Sequence, residues 1–301
     1  MTNHADNTEI IRILALSHFS SVQPRLLEVL IRHYGSLERI MATDAGSLMA
    51  VAGMTAEIAN RVAEAPSKMT QARQYYELLR SKNVNFVSRF DSDYPKLLFE
   101  LNDPPTLLYY RGTLPNENSK IVALAGGDRA TSEGIELTVE AAKKFAEAGV
   151  QVISSLDRGI DSATHLGAKV GAGRSFSVLD SGVDEIYPDE SRPLAIDIVK
   201  DGGLISEYPP DQKYHTENFK SSNRIIAGLS QAVVMTEFYD HSMRALDLLS
   251  CCSQIGKLVF ILIDPRHGAL TDKNSLETAY SSGAIPMVGL HQIDEIVKSL
   301  V

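Results

Sequence analysis

The sequence has no tryptophan, only two cysteines, and no apolar run that approaches the roughly 18 residues a membrane helix needs. Cys251 and Cys252 are adjacent, an arrangement that suits neither a disulfide nor a spaced metal site. The first residues, MTNHADNTE, are polar and acidic, unlike a secretory signal. We therefore expect a reduced, cytoplasmic protein that has no membrane span and needs no metal or cofactor.

Basic charge is also scarce. The chain has 29 Lys and Arg residues against 38 Asp and Glu residues, a net charge of −9. This balance excludes a protein that coats nucleic acid through bulk positive charge. Residues 1–90 hold 10 basic and 8 acidic residues, and the remainder holds 19 basic and 30 acidic residues. A nucleic-acid site in the larger part must therefore be a local feature.

The first part of the chain has helical spacing only. Apolar residues recur at helical intervals throughout residues 9–82. Leu48–Ala65 resembles a helix-hairpin-helix, with a turn at Gly53 and Thr55 as the N-cap of the second helix. An ordinary helical hairpin is the alternative, which we favour because short motifs match by chance. Prolines between Asp91 and Gly112 exclude a long helix there.

The rest of the chain alternates strands with helices. Apolar runs suited to strands that are buried on both faces are separated by helical patterns, which predicts a parallel sheet covered by helices on both sides. The predicted strands are Ile121–Ala125, Val150–Ser154, Ser175–Leu179, Ala232–Thr236 and Leu258–Ile263, with short ones near Leu107–Tyr110 and before Ser206-Glu207. The predicted helices are Gly134–Ala148, Ile160–Gly171, Leu194–Lys200, Asn223–Leu229 and Ser242–Ile255.

Polar residues follow several of these strands, where ligands bind in open α/β sheets. The pair Gly126-Gly127 can turn free amides toward a phosphate, or can simply form a tight turn. Asp161 suits a helix cap with His165 one turn later, and an acid–base pair is the alternative. Asn223-Arg224 begins a predicted helix and offers phosphate-binding donors. We find no zinc spacing, nucleophile elbow or supported cysteine nucleophile, so we expect binding rather than catalysis.

Eight short motifs in order resemble the DprA/Smf family of DNA-processing proteins over almost the whole chain. They are YPKLL, DPPTLLYYRG, GIDSATHLGA, GVDEIYP, LISEYPP, NRIIAGLSQAVVMTE with the phenylalanine before it, GKLVF, and LETAYSSGAIP with the asparagine before it. The resemblance implies an α/β Rossmann-like fold with a parallel sheet and helices on both faces, preceded by a small all-α SAM/helix-hairpin-helix-like domain. It implies a helical domain at residues 1–85, a connector at 86–115 and a Rossmann-like core at 116–301.

The resemblance also implies a function. Members bind single-stranded DNA, load the RecA recombinase onto it during natural transformation, form homodimers and have no known catalytic reaction. On this basis Asn223 and Arg224 face the bound strand. Bases could stack on Tyr208, Tyr214 or Phe238. The predicted DNA- and phosphate-binding residues are Gly126, Gly127, Arg129, Arg158, Gly159, Asp161, His165, Lys220, Asn223, Arg224, Glu237, Ser242 and Arg244.

Four positions depart from the family pattern, and they add acid, add bulk or remove a basic group where DNA would lie. They are Asp128, Asp157, Ser222 and Met243. Because each lost phosphate contact removes roughly 1.5–3 kcal/mol, we expect weakened DNA affinity. The nucleic-acid hypothesis requires that Asn223 and Arg224 are not buried in internal bonds beneath a negative rim.

Two other functions stay open at this point. One is a nucleotide-sensing Rossmann-like (SLOG-type) protein that uses Gly126, Asp161 and Glu237 as its pocket. The other is a family paralogue with weakened DNA binding that acts through protein partners, as the substitutions Asp128 and Met243 suggest.

Overall fold

The structure is a computed structural model that describes residues 7–266 and 270–300. The chain divides into two compact units. The smaller comprises Met1–Tyr94 with Asn102–Leu108, and the larger comprises Pro95–Leu101 with Tyr109–Val301. Within the described residues, no helix combines the length and the apolar character that crossing a bilayer requires.

The smaller unit is mainly helical, as the spacing predicts. Gly53 has a left-handed φ of +82°, and the Thr55 hydroxyl accepts from the Ile58 amide, so the predicted turn and N-cap are confirmed. The helices are α1 (Thr8–Leu14), a π-helical turn (Ala15–Phe19), α2 (Pro24–Tyr34), α3 (Leu37–Met41), α4 (Ala45–Leu48), α5 (Ala56–Glu64), a 3₁₀ turn (Ala65–Lys68) and α6 (Met69–Ser81), followed by strand β1 (Asn85–Ser88).

The larger unit is built on a mostly parallel sheet whose strands run in the order β2-β6-β5-β4-β3-β7-β8-β9. Strand β2 alone of these is antiparallel, with Tyr109 opposite Ser206 of β6. The strands are β2 (Leu107–Gly112), β3 (Ile121–Ala125), β4 (Gln151–Ser154), β5 (Ser175–Val178), β6 (Gly203–Ser206), β7 (Ala232–Met235), β8 (Leu258–Ile263) and β9 (Ile285–Val288).

Helices flank this sheet, so the predicted α/β class with a parallel sheet is confirmed. Val122 and Leu124 of β3 pack with Phe145 in one buried cluster, while Ala123 between them points to the opposite face. The helices are α7 (Ser132–Glu147), α8 (Ile160–Val170), α9 (Arg192–Asp201), α10 (Phe219–Leu229), α11 (Met243–Gln254), α12 (Lys273–Ser281) and α13 (Ile293–Ser299). Short 3₁₀ turns lie at Lys96–Glu100, Asp189–Ser191, Thr216–Asn218 and Leu290–Gln292.

The strand order reverses around β3, which lies between β4 and β7. In open α/β sheets the crevice for a ligand forms at such a switch point, beyond the carboxyl ends of the strands. Here the crevice is closed by backbone contact, because the Gly127 amide donates to the Glu237 carbonyl at 2.7 Å. The loops after β3 and β7 are therefore joined directly.

Glycine is required where these loops meet. Gly159 has a φ of +67°, and a Cβ there would lie 2.4 Å from the Gly127 carbonyl oxygen. A Cβ on Gly134 would lie 1.9 Å from a carboxylate oxygen of Glu237. Side chains cannot fit at either position, so these glycines serve close packing of the loops.

Helix α10 begins earlier than its sequence pattern predicts. It starts at Phe219, so Asn223 and Arg224 lie in its second turn and not at its N-terminus. The prediction that a helix begins at Asn223 is therefore wrong.

We expect Gly159→Ala to destabilise the protein more than Gly256→Ala does. The two glycines have nearly equal φ values, +67° and +65°, but only Gly159 is crowded, since nothing lies within 4 Å of a Cβ at Gly256. A side chain at a positive φ costs of order 1–3 kcal/mol at either position, and the clash at Gly159 adds roughly 1–3 kcal/mol. Urea unfolding of both variants measures the difference, and equal losses would contradict the close packing of these loops.

Candidate nucleic-acid interface

The carboxyl rim is the surface formed by the loops that follow β3 to β7, comprising residues 126–131, 155–159, 179–188, 207–218 and 236–242. A shallow open pocket lies within it, lined by Ser155, Leu156, Asp157, Leu179, Asp180, Tyr187 and Tyr214. The sequence-predicted residues lie on these loops or on the helices that begin and end there. Their contacts decide which of them can meet a ligand.

Glu237 is fully buried beneath the rim and binds its own chain. Its carboxylate accepts from the Thr131 amide at 2.9 Å, from the Thr131 hydroxyl at 2.8 Å and from the Tyr239 hydroxyl. The bond to Glu237, together with partial burial, raises the pKa of Tyr239 to about 12. Glu237 thus places an internal anion at the N-terminus of α7, where a bound phosphate would otherwise be favoured. The DNA contact at Glu237 stays a prediction, and in this structure its carboxylate is taken up by Thr131 and Tyr239.

Asp161 and His165 are also buried, on α8. The Ser155 hydroxyl donates to Asp161, and His165 Nε2 donates to the Ser155 carbonyl at 2.7 Å. Burial raises the pKa of Asp161 to about 6, against the opposing effect of Arg244, and lowers the pKa of His165 to about 4. Both side chains lie beneath the surface, so their DNA contacts stay predictions that this structure does not support. The predicted helix cap is wrong, because Asp161 accepts from Ser155 and not from an amide of α8.

Asn223 and Arg224 make internal bonds. The Asn223 amide nitrogen donates to the Arg244 carbonyl at 2.9 Å and to Asp247 at 2.8 Å, and its side chain is fully buried. Arg224 Nη2 donates to both oxygens of Glu207, at 2.7 and 2.8 Å, and only 15% of its side chain is exposed. The condition that the sequence set for Asn223 and Arg224 is therefore not met, and a nucleic-acid site must rest on other residues of the rim. Each binds a carboxylate of the chain instead, Asn223 that of Asp247 on α11 and Arg224 that of Glu207 on the rim.

Arg244 is held in the same way. Its guanidinium pairs with Asp180, and its Nε lies 3.7 Å from an oxygen of Asp157. The Ser222 hydroxyl, 3.4 Å from the same guanidinium, also donates to Asp180. Two of the positions that depart from the family pattern, Asp157 and Ser222, thus belong to one polar network around Arg244.

The exposed cations of the rim differ from these buried ones. Arg158 pairs with Glu190, and Lys220 pairs with Glu217, all four on the surface. Arg129 is exposed, and within residues 7–266 and 270–300 it has no ion pair or side-chain hydrogen bond. Among the predicted cations, Arg129 is therefore the one whose charge is not already balanced by a contact.

The glycine pair Gly126-Gly127 lies close to Ser242. Gly126 and Gly127 are buried, and a Cβ on Gly127 would lie 3.2 Å from the Ser242 hydroxyl. Ser242 occupies the N-cap position of α11, but its hydroxyl accepts from the Tyr239 amide at 3.1 Å and makes no cap bond. The first-turn amides of α11 therefore receive no acceptor from Ser242.

Two tyrosines provide an aromatic surface at the mouth of the pocket. Tyr187 and Tyr214 stack with ring centroids 3.8 Å apart and planes 17° from parallel, and Tyr187 is 46% exposed. Phe238 is fully buried, so its predicted stacking role is wrong, and Tyr208 is half-buried. Burial, with smaller contributions from Asp157, Tyr187 and Asp128, raises the pKa of Tyr214.

Sequence reasoning missed the carboxylates that pair with the rim's cations and one half of the aromatic pair. These residues are Asp180, Glu190, Glu207, Asp247 and Tyr187. It also missed Lys213, which is exposed beside Tyr214 and forms no ion pair within the described residues. The excess of acid in the larger unit was the available signal, but it did not show which acid meets which base.

The profile of the family described as DNA recombination-mediator protein A matches residues 85–298. The chain belongs to this family. Protein Smf of Synechocystis is 32% identical over 308 residues, which cover 97% of this chain and 77% of that relative. DNA processing protein DprA of Streptococcus pneumoniae is 34% identical over 164 residues, which cover 54% of this chain and 57% of that relative. The predicted DprA/Smf membership is confirmed.

Solved structures of the family share the fold. The X-ray structure of DprA from Streptococcus pneumoniae has a TM-score of 0.77 at 21% identity and covers 97% of this chain and 98% of its own. DprA from Helicobacter pylori, whose structure concerns its binding of single-stranded DNA, has a TM-score of 0.62 at 21% identity and covers 72% of this chain and 97% of its own. The family and fold are thus established, and the use of the rim is a separate question.

We expect Asp161 and His165 to give opposite pH dependences to the free energy of unfolding. Folding raises the Asp161 pKa from 3.8 to about 6, so its stabilising effect is full below 3.8 and is lost as pH rises through 6. Folding lowers the His165 pKa from 6.5 to about 4, so its effect is full above 6.5 and is lost as pH falls through 4.

Asp161→Asn should therefore make unfolding free energy rise more steeply with pH between about 4 and 6.5 than in the wild type. His165→Asn should make it rise less steeply or fall. Urea unfolding at several pH values in this range checks both slopes. Parallel curves for the three proteins would mean that neither group titrates with a shifted pKa.

Proposed function

We propose that the chain is a recombination mediator that binds single-stranded DNA at the carboxyl rim. Family membership supports this proposal, as does the single-stranded DNA binding named for the Helicobacter pylori relative. The observation that carries it is the stacked pair Tyr187–Tyr214 at the pocket mouth, with an exposed ring available for a base. Base stacking on an aromatic ring contributes roughly 1–3 kcal/mol for each base and is independent of sequence.

Two unpaired cations flank this aromatic surface along the chain. Lys213 precedes Tyr214 on one rim loop, and Arg129 lies on the rim loop after β3. Both can meet backbone phosphates without breaking an ion pair. Arg158 can join them, because its exposed pair with Glu190 gains little in water and can exchange for a phosphate. Arg129, Lys213 and Arg158 thus replace the buried Asn223 and Arg224 as the expected phosphate contacts.

The further steps are inferred from the family. We propose that the chain forms a homodimer and loads a RecA recombinase onto the bound strand in natural transformation. We also propose that it does this without catalysing a reaction of its own. The burial of Asp161 and His165 supports the last point, since neither can reach a substrate.

The paired charges of the rim favour a second candidate, a family member that has lost DNA binding and acts through protein partners. Arg224 and Arg244 are each neutralised by a carboxylate, and the rim carries additional acid at Asp128 and Asp157. Single-stranded DNA binding and partner binding can be separated by experiment. We retain DNA binding as the first candidate because Arg129 and Lys213 are left available.

Arg129→Ala should weaken binding to oligo-dT and to mixed-sequence oligonucleotides by a similar factor. Removing one phosphate contact lowers the slope of log affinity against log salt by about 0.7 for a single strand. Fluorescence anisotropy over a salt series measures both quantities. Lys143→Ala is the matched control, because it removes one positive charge three turns along α7 from the rim.

Equal effects of the Arg129 and Lys143 substitutions would contradict a phosphate contact at Arg129. Absence of oligonucleotide binding by the wild type even at low salt would remove the first candidate altogether.

Size-exclusion chromatography of the chain with RecA, with and without oligo-dT, tests the partner proposals. We expect a complex with RecA in the presence of DNA and an elution volume for the chain alone that corresponds to a dimer. A stable RecA complex without DNA, together with no DNA binding, would favour the second candidate.

A further inference from the structure

Arg244 lies between two carboxylates that differ in their access to solvent. Asp180 is 8% exposed and accepts from both Arg244 and the Ser222 hydroxyl. Asp157 is 29% exposed, and one of its oxygens lies 3.7 Å from Arg244 Nε. Asp180 therefore holds the guanidinium in place from within, and Asp157 lies on the outer side, where a phosphate would approach.

The charges around Arg244 do not balance. One guanidinium faces the carboxylates of Asp157 and Asp180, and the buried Asp161 also acts on it. The Phe219 ring, 5.8 Å from the guanidinium carbon, supplies another contact that favours the cation where it is. A phosphate that approaches from the pocket meets the negative charge of Asp157 and Asp180, although both carboxylates contact Arg244.

We propose that Asp157 determines the affinity of the carboxyl rim for single-stranded DNA by neutralising Arg244 within the protein. The inference rests on the proposed function. With Asp157 uncharged, one carboxylate fewer faces Arg244, and the outer side of the guanidinium is open to a phosphate. Asp157 is then an affinity-determining residue, and Arg244 is a phosphate-binding group that becomes available when Asp157 carries no charge.

The Arg224–Glu207 pair on the same rim does not act in this way. Both side chains are more than four-fifths buried, and Glu207 accepts two bonds from the same guanidinium nitrogen. Removing Glu207 would take away the carboxylate that the buried Arg224 guanidinium binds, which would destabilise the fold. Asp157 differs from Glu207 and Asp180 because its side chain is partly exposed. Among the residues that the structure describes, it is the one carboxylate that contacts a buried rim arginine and can lose its charge at small cost to stability.

Asp157→Asn is the test substitution, because an asparagine keeps the oxygen that accepts from the Arg158 amide at 2.8 Å. We expect Asp157→Asn to bind oligo-dT roughly tenfold more tightly than wild type and with a steeper salt dependence, since one more guanidinium can replace counterions on the strand. Anisotropy titrations with fluorescent oligo-dT at several salt concentrations measure both effects. The urea midpoint of each variant checks that it is folded.

Two controls separate a local effect from a change in overall charge. Asp294→Asn removes the same charge from an exposed position on α13. Asp157→Asn combined with Arg244→Gln removes the proposed phosphate group along with its carboxylate. We expect the gain in affinity to be absent from the Asp294 variant and lost from the double variant.

The possible results are distinct. If the wild type binds DNA and Asp157→Asn binds no more tightly than Asp294→Asn, the role of Asp157 is overturned while the proposed function stands. A gain that survives the Arg244 substitution also overturns it. If neither the wild type nor Asp157→Asn binds oligo-dT at low salt, the inference and the proposed function both fail.

Discussion

The buried carboxylate of Glu237 is the contact on which the rest of the carboxyl rim depends. Through its side chain it binds Thr131 at the start of α7, and through its backbone carbonyl it binds the Gly127 amide. It therefore joins the end of β7 to two points of the loop after β3. Gly134 and Gly159 have no side chains because this junction leaves no space for them. An acidic residue that sequence reasoning assigned to a ligand is, in the fold, the group that fixes the shape of the site.

Carboxylates of the chain itself also occupy other places on the rim where a bound anion could lie. Arg224 has Glu207, Arg244 has Asp180 and Asp157, and the N-terminus of α7 has Glu237. The cations of the rim are thus partly neutralised by the chain's own carboxylates. This accounts for an acidic protein that keeps arginine at its rim. It also moves the expected phosphate contacts outward, from the buried helix α10 to exposed cations on the loops.

The fold could be predicted from sequence to a large extent because the central strands are buried on both faces. Ile121–Ala125 is a continuous apolar run, and the structure has the fully buried strand β3 at these bounds. Leu258–Ile263 is a second such run and matches β8, although Leu258 is exposed there. Strand β9 was not predicted. It is a short strand whose Ile285, Pro286 and Val288 are exposed, and Pro286 makes its pattern unlike that of a central strand.

The site was harder to predict because its decisive contacts join residues that are distant in sequence. Arg224 and Glu207 are 17 positions apart, and Arg244 and Asp180 are 64 apart. Nothing local to Asn223-Arg224 distinguishes a phosphate-binding pair from one that binds carboxylates after folding. The Tyr187–Tyr214 stack has a consequence for measurement. In a chain without tryptophan, a single indole placed at residue 187 would be the sole long-wavelength fluorophore, so its emission would report directly on what contacts the pocket mouth.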